Sequence, residues 1–314
     1  MKNWMSNLSN SKKLININIP GTHDSGTHGT VVPFAKTQSW SVERQLNNGI
    51  RFLDIRLSKS AKIPGVSEFL LANIFILKHG VAPVGGTFVD AVLVPVYEFL
   101  RKNPQETVLM SIKSEESTFK ITSDDMKEFA ALSYFYDHKK DIKNVELGDV
   151  RGKIVLLNRV TDDHGYAWAN FKKQDVYELE MKHYEQIIVP EVKERTQRVC
   201  MPFTDICYEQ VIIIGVKERT KRMPCGWDYA KKTENISKFL KDNKDNVENK
   251  LNINFLTASS SDFVNYFAFT NGVEMNAIIQ NEFIAKKNWY ANGMVFPMDF
   301  PTPEAIEKIV SSNF

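Results

Sequence analysis

Residues 74–112, IFILKHGVAPVGGTFVDAVLVPVYEFLRKNPQETVLMSI, carry the periodicities that decide the fold. Ile74–His79 and Thr107–Ile112 are short β-prone runs. Between them Phe88, Val92, Val96, Phe99 and Leu100 recur at the spacing that places apolar side chains on one helix face, and Asn103-Pro104 stops the helix before the second run. Strand, amphipathic helix and strand in that order predict a βαβ crossover and a parallel sheet.

The same alternation extends both ways. Further β-prone runs are Leu14–Ile19, Arg51–Leu57, Lys153–Val160, Leu251–Leu256 and Met294–Asp299, and Pro301 and Pro303 precede a short closing helix through Ala305, Ile306, Ile309 and Val310. The expectation is an α/β chain with a largely parallel sheet. Glu185–Arg198 returns as Glu209–Arg222, read either as duplicated strand-and-turn pieces or as a membrane-facing insertion whose apolar triplet and basic cluster meet anionic lipid. Lys231–Lys250, acidic and lysine-rich, reads as a solvated helix and loop.

Composition narrows the classes. With 40 Lys+Arg against 38 Asp+Glu the formal charge is +2, too small to imply nucleic acid, and 43% hydrophobic with 25% charged residues excludes a disordered or collagen-like chain. Cys200, Cys207 and Cys225 are odd in number and form no C-x-x-C ladder. Met1–Pro20 contains no long apolar run of the secretory type, and no later run approaches a membrane span.

The chemistry gathers at strand ends. Ile19-Pro-Gly-Thr-His-Asp-Ser-Gly-Thr27 places His23 and Asp24 in a loop directly after an apolar run. Asp54 and Arg56 close the next run and, two apart on a strand, face the same side. His79 ends the third run before Gly80, and Lys113, Arg159 and Asp299 end later ones. In an α/β barrel the C-terminal strand ends meet on one face, so polar residues at successive ends argue for a single site. No metal-binding histidine motif and no nucleotide-cradling glycine loop accompanies them, which leaves cofactor-free acid–base chemistry. Two histidines can divide base and acid roles, and a guanidinium can bind a phosphate oxygen, so the set reads as a phosphodiester-cleaving apparatus.

In the blocks Ile-Pro-Gly-Thr-His23-Asp24-Ser-Gly-Thr, Asn-Gly-Ile-Arg-Phe-Leu-Asp54-Ile-Arg56, His79-Gly80, Gly-Lys-Ile-Val-Leu-Leu-Asn-Arg159 and Met-Asp299-Phe-Pro, from about residue 4 to the C-terminus, the chain resembles the bacterial phosphatidylinositol-specific phospholipases C. The resemblance implies a distorted (β/α) TIM-type barrel in one domain over residues 1–314, with a possible insertion at about 178–226. It implies His23 as general base toward the inositol 2-hydroxyl, His79 as general acid toward the diacylglycerol oxygen, Asp24 assisting His79 and Asp299 orienting His23. Asp54 and Arg56 fall on the family's strand pair, with Arg56 where the related eukaryotic enzymes hold calcium, and Lys113 and Arg159 match inositol-hydroxyl contacts. The ring-holding Asp and Tyr are Asp175 and Tyr177, with Asp205 and Tyr208 as a competing alignment.

The leading expectation is a metal-independent lyase without cofactor, acting on phosphatidylinositol or related inositol lipids at a membrane surface as a peripheral monomer, with Trp40, Phe69, Leu70 and Leu71 as rim candidates. The resemblance leans toward secretion; a cytoplasmic, membrane-peripheral location is the alternative. A metal-dependent glycerophosphodiester or sphingomyelin phosphodiesterase and a catalytically silent lipid-binding module are the competing classes.

Overall fold

The structure, a computed structural model, describes residues 2–32, 35–59, 75–80, 82–115, 120–176, 180–189, 195–200, 207–213, 219–258, 269–285 and 292–314. The chain divides into two compact units, Met1–Leu179 with Tyr229–Phe314, and Glu180–Asp228.

In the first unit the strands are β1 Ile19–Thr22, β2 Phe52–Lys59, β3 Phe75–His79, β4 Ala82–Thr87, β5 Val108–Ser114, β6 Ile154–Asn158, β7 Tyr166–Ala167 and β8 Lys172–Gln174. After β9 Glu180–Val189, β10 Arg195–Cys200, β11 Cys207–Ile213 and β12 Arg219–Asp228 of the second unit come β13 Asn252–Asn254 and β14 Met294–Met298. The spatial order β7-β6-β5-β2-β1-β14-β13-β8 is parallel throughout. Taken as a ring it repeats the chain order, which is the rule of a (β/α) barrel, with the ladder interrupted between β7 and β8 among the described residues. Strands covered on both faces carry continuous apolar runs, and Ile154–Leu157 is buried along its whole length. Gly21 lets β1 approach β2, since a Cβ there would stand 2.7 Å from a ring carbon of Phe52.

The helical face read from Phe88, Val92, Val96, Phe99 and Leu100 is buried as a set. It begins as a π turn, Val89–Leu93, and continues as the helix Val94–Lys102. Pro95 has no N–H to donate backward, which a widened turn accommodates. The closing helix is Pro303–Ser311, capped by Thr302, whose side chain accepts from the Ala305 N–H.

Three expectations change. Leu14–Asn16 forms a 3-10 turn and the strand starts only at Ile19. The run ending at His79 is no barrel strand: β3 pairs antiparallel with β2 and with β4, so the crossover into β5 starts from β2 and the β3–β4 hairpin is interposed. Lys231–Lys250 is not a wholly solvated segment, because helix Ala230–Asp242 buries Lys232, Ile236 and Leu240.

In the second unit the repeated sequence is used reciprocally. β9 pairs antiparallel with β12, so Gln186–Val189 of the first copy lies opposite Arg219–Arg222 of the second. β10 pairs with β11, so Arg195–Arg198 of the first copy lies opposite Glu209–Ile213 of the second.

Candidate active site

His23 leaves β1 next to the end of β14, its N–H bonded to the Met298 carbonyl at 3.0 Å. Gln38, fully buried, donates to the carbonyls of His23 at 2.7 Å and Met298 at 2.9 Å, locking the two strand ends together. The His23 Nδ1 is 2.9 Å from Asp299 Oδ1, and its Nε2 is 2.5 Å from Arg56 Nη2. Burial and Arg56 pull the His23 pKa down, but Asp299 and Asp24 together more than offset them and the balance lies above the ordinary histidine value.

Asp24 follows in the left-handed region at φ 46°, a conformation that aspartate tolerates better than most residues. This turn aims its buried carboxylate across the site. Oδ1 stands 3.1 Å from Arg56 Nε, while Oδ2 stands 3.4 Å from His79 Nδ1 and 3.9 Å from His23 Nε2. One oxygen thus lies between the two imidazoles. Burial raises the Asp24 carboxyl above its usual range, with Arg56 and the histidines pulling the other way. His79 sits at the end of β3, where its Nδ1 is 3.0 Å from the Ala35 carbonyl. A carbonyl only accepts, so Nδ1 carries hydrogen and Nε2 is the nitrogen left to exchange a proton.

Arg56 is the hub. Besides His23 and Asp24 it meets Asp54 Oδ2 at 3.6 Å through Nε, and it donates from Nη1 to Glu115 Oε1 at 3.1 Å. These carboxylates raise the guanidinium further above its usual value, although burial opposes them. Asp54, fully buried, accepts from Arg159 Nη1 at 2.8 Å. Burial alone would raise its pKa, but Arg159 and Arg56 hold it well below the usual carboxylate range. Lys113, opposite Arg56 in the β2–β5 register, donates to Glu115 Oε1 at 3.1 Å. Arg159 lies over the Trp168 ring, 4.4 Å from its centroid.

His23, Asp24, Asp54, Arg56, His79, Asp299, Lys113 and Arg159 therefore belong to one contact network. Arg56 and Lys113 lie within their strands rather than at the last residue, and Arg159 and Asp299 each follow a strand directly. Asp175 is exposed just beyond β8; Lys173, which feels it, also feels Arg159 of this network. Tyr177 and Asp205 lie outside the described residues, and Tyr208 is in β11 of the second unit. Sequence reasoning missed Glu115, although its place two residues after Lys113 on the continuation of β5 is the signal that could have found it. It also missed Gln38, Trp168 and Lys232, which carry no motif.

Fold and site define a (β/α)-barrel protein with a histidine pair, a guanidinium and carboxylates gathered where the parallel strands end. Residues 17–160 match the family described as phosphatidylinositol-specific phospholipase C, X domain. A 1-phosphatidylinositol phosphodiesterase of Listeria monocytogenes is 33% identical over 168 residues, covering 50% of this chain and 48% of the relative. One from Staphylococcus aureus is 32% identical over 197 residues, covering 54% and 57%. The chain thus matches about half the length of these curated relatives. Among solved structures, the phosphatidylinositol-specific phospholipase C of L. monocytogenes superposes with TM-score 0.63 at 22% identity, covering 100% of this chain and 98% of that one. The S. aureus structure studied for membrane binding gives 0.67 at 23%, covering 100% and 97%. At that identity the likeness establishes the fold, a TIM-type α/β barrel.

Proposed function

We propose that this protein is a phosphatidylinositol-specific phospholipase C, cleaving phosphatidylinositol to diacylglycerol and inositol 1,2-cyclic phosphate without a metal. The observation that carries the reading is the pair of imidazoles with one Asp24 oxygen lying between them, 3.4 and 3.9 Å away, beside a single guanidinium. His23 Nε2 takes the proton of the inositol 2-hydroxyl, and that oxygen bonds to the adjacent phosphorus. As the phosphorus becomes five-coordinate, Arg56 turns from His23 to the phosphoryl oxygens and balances their charge. His79 Nε2 gives its proton to the diacylglycerol oxygen as the phosphorus–oxygen bond breaks. Asp299 keeps the His23 hydrogen on Nδ1, and Asp24 steadies the His79 imidazolium. Asp54, through Arg159 and Arg56, holds the cationic side in place. Lys113 and Arg159, with Asp175 and Tyr177, are assigned to the inositol ring.

A lipid substrate calls for peripheral contact with a membrane surface, and no helix among the described residues is long and apolar enough to cross one. The reading includes a secreted monomer. Trp40 is half-buried with the Arg44 guanidinium 5.2 Å from its ring centroid, and the other rim candidates, Phe69, Leu70 and Leu71, lie outside the described residues.

The test is phosphorus NMR of the water-soluble product from phosphatidylinositol vesicles, run with and without excess EDTA. A cyclic inositol phosphate at equal rates in both is expected. A non-cyclic first product, or loss of activity that calcium or magnesium restores, would replace this mechanism with that of a metal-dependent phosphodiesterase.

A further inference from the structure

Lys232 is 1% exposed on the buried face of helix Ala230–Asp242, with Ile236 and Leu240. An ammonium withdrawn from water needs polar partners. Its Nζ donates to Gln174 Oε1 at 3.2 Å and to the Val176 carbonyl. Those acceptors mark the end of β8 and the chain just beyond it.

β8 needs such a tether. It is short, stands last in the sheet order and is paired with β13, and its final ladder bond runs from the Phe255 N–H to the Gln174 carbonyl at 2.8 Å. Past Gln174, β8 has no sheet pairing among the described residues. Among the described residues, the Lys232 ammonium gives the only hydrogen bond to residue 175 or 176. It also holds the Gln174 side chain, whose Nε2 is buried without a partner. A methionine of similar length would pack beside Ile236 and Leu240 with no charge to bury, but it would leave Gln174 Oε1 and the Val176 carbonyl unpaired. Burial pushes the Lys232 ammonium down to about 7 while Asp175 and Asp299 pull it upward, so its charge is felt by Asp175 on one side and by the carboxylate paired with His23 on the other.

We propose that Lys232 is a positioning residue for headgroup recognition, a buried tether that fixes the end of β8 so that Asp175 meets the hydroxyls of the inositol ring. This rests on the function proposed above. Lys232 touches neither imidazole, so its contribution falls on substrate binding and not on the chemical step.

The experiment is steady-state kinetics of the full chain on a short-chain phosphatidylinositol kept below its micelle concentration. Lys232→Met is expected to raise KM about tenfold, the loss of one charge-assisted tether, with kcat within about threefold of wild type. Asp175→Ala is expected to raise KM similarly, and the double variant to be no worse than Asp175→Ala, since both act through one contact. Lys232→Arg should recover part of the loss. Unchanged KM with a lowered melting temperature, a loss confined to kcat, or additive effects in the double variant would each overturn the proposal. If Lys232→Met does not fold, Gln174→Ala removes the other side chain of the tether and should raise KM about threefold; an unchanged KM there overturns it equally. Wild type assayed alongside separates the two readings. An inactive wild type defeats the proposed function and this inference with it, whereas an active wild type beside an unaffected Lys232→Met defeats this inference alone.

Discussion

Arg56 Nη2 stands 2.5 Å from His23 Nε2. A guanidinium has only donors, so Nε2 accepts, and the hydrogen of the neutral ring lies on Nδ1, 2.9 Å from the Asp299 carboxylate. The ring is therefore held in the form of a proton acceptor. The same guanidinium reaches Asp24 from Nε and Glu115 from Nη1, three directions that follow from its planar fork. Arg56→Lys keeps the charge and loses the fork. Turnover is expected to fall about 10²-fold to 10³-fold with a smaller change in KM, because what is lost is aimed at charge formed at phosphorus. A kcat loss under tenfold would show that charge alone suffices.

The pH profile should locate the His23 titration. A base works unprotonated, and the His23 pKa lies above its ordinary value of about 6.5, so kcat/KM is expected to rise with pH through a limb above that value. In Asp299→Asn the main raising influence is gone while burial and Arg56 still lower the pKa, so the limb should move below about 6.5. The plateau should drop about 10²-fold to 10⁴-fold as the ring loses its orientation. The stability sign follows from the same shift. A raised histidine pKa stabilises the fold below the unfolded value, and that contribution fades as pH rises through the folded one. The stability difference between wild type and Asp299→Asn should therefore narrow as pH rises from about 6.5 through the higher folded-state value of His23. A limb that does not move in Asp299→Asn would separate Asp299 from the titrating base.

The division of labour between the imidazoles can be read from leaving groups. If His79 protonates the departing oxygen, His79→Ala should lose about 10²-fold to 10⁴-fold on phosphatidylinositol and far less on an inositol phosphodiester with a nitrophenol leaving group, which departs without a proton. His23→Ala should lose as much on both substrates, since the attacking hydroxyl is the same. Equal losses for His79→Ala on the two substrates would assign it another role.

Much of this site was readable from residue order because a parallel barrel turns order into place. His23, Asp54, Lys113, Arg159 and Asp299 each lie on or directly after successive sheet strands, and the ladder brings those strands side by side. His79 was found for a partly wrong reason, since its strand is a hairpin arm laid antiparallel on β2 and not a rung of the barrel. Periodicity marks a strand but not its partner. Lys232 was misread because a lysine in a charged, lysine-rich helix looks solvated, and only its packing shows that Gln174 and Val176 wait for its ammonium. Glu115 was hidden by the ordinary look of Lys-Ser-Glu-Glu; its role arises from Arg56 across the ladder.

Away from the catalytic cluster, the buried pair Arg51–Glu106 should govern stability. Both side chains are fully buried. Arg51 Nε donates to Glu106 Oε2 at 2.9 Å, and Nη1 donates to the Leu46 and Ile50 carbonyls at 2.8 and 2.7 Å. Glu106 also accepts the Ser6 N–H at 3.1 Å, tying the N-terminal turn Trp4–Asn7 beneath the sheet. Burial pulls the Arg51 pKa down to about 10 even with Glu106 beside it, a sign of how little water reaches the guanidinium. Glu106→Ala would strand that cation and leave the Ser6 N–H with only the longer bond to the Asn3 carbonyl, 3.3 Å. The expected cost is about 3–5 kcal/mol, the range for breaking one side of a buried ion pair, read as a lower urea midpoint with an unchanged slope. The kinetics of the folded fraction at low temperature should stay near wild type, because neither residue touches the imidazoles or Arg56. A loss below about 1 kcal/mol would mean that Arg51 regains water or new carbonyl partners when Glu106 is removed, and that the pair contributes no more than a surface ion pair does.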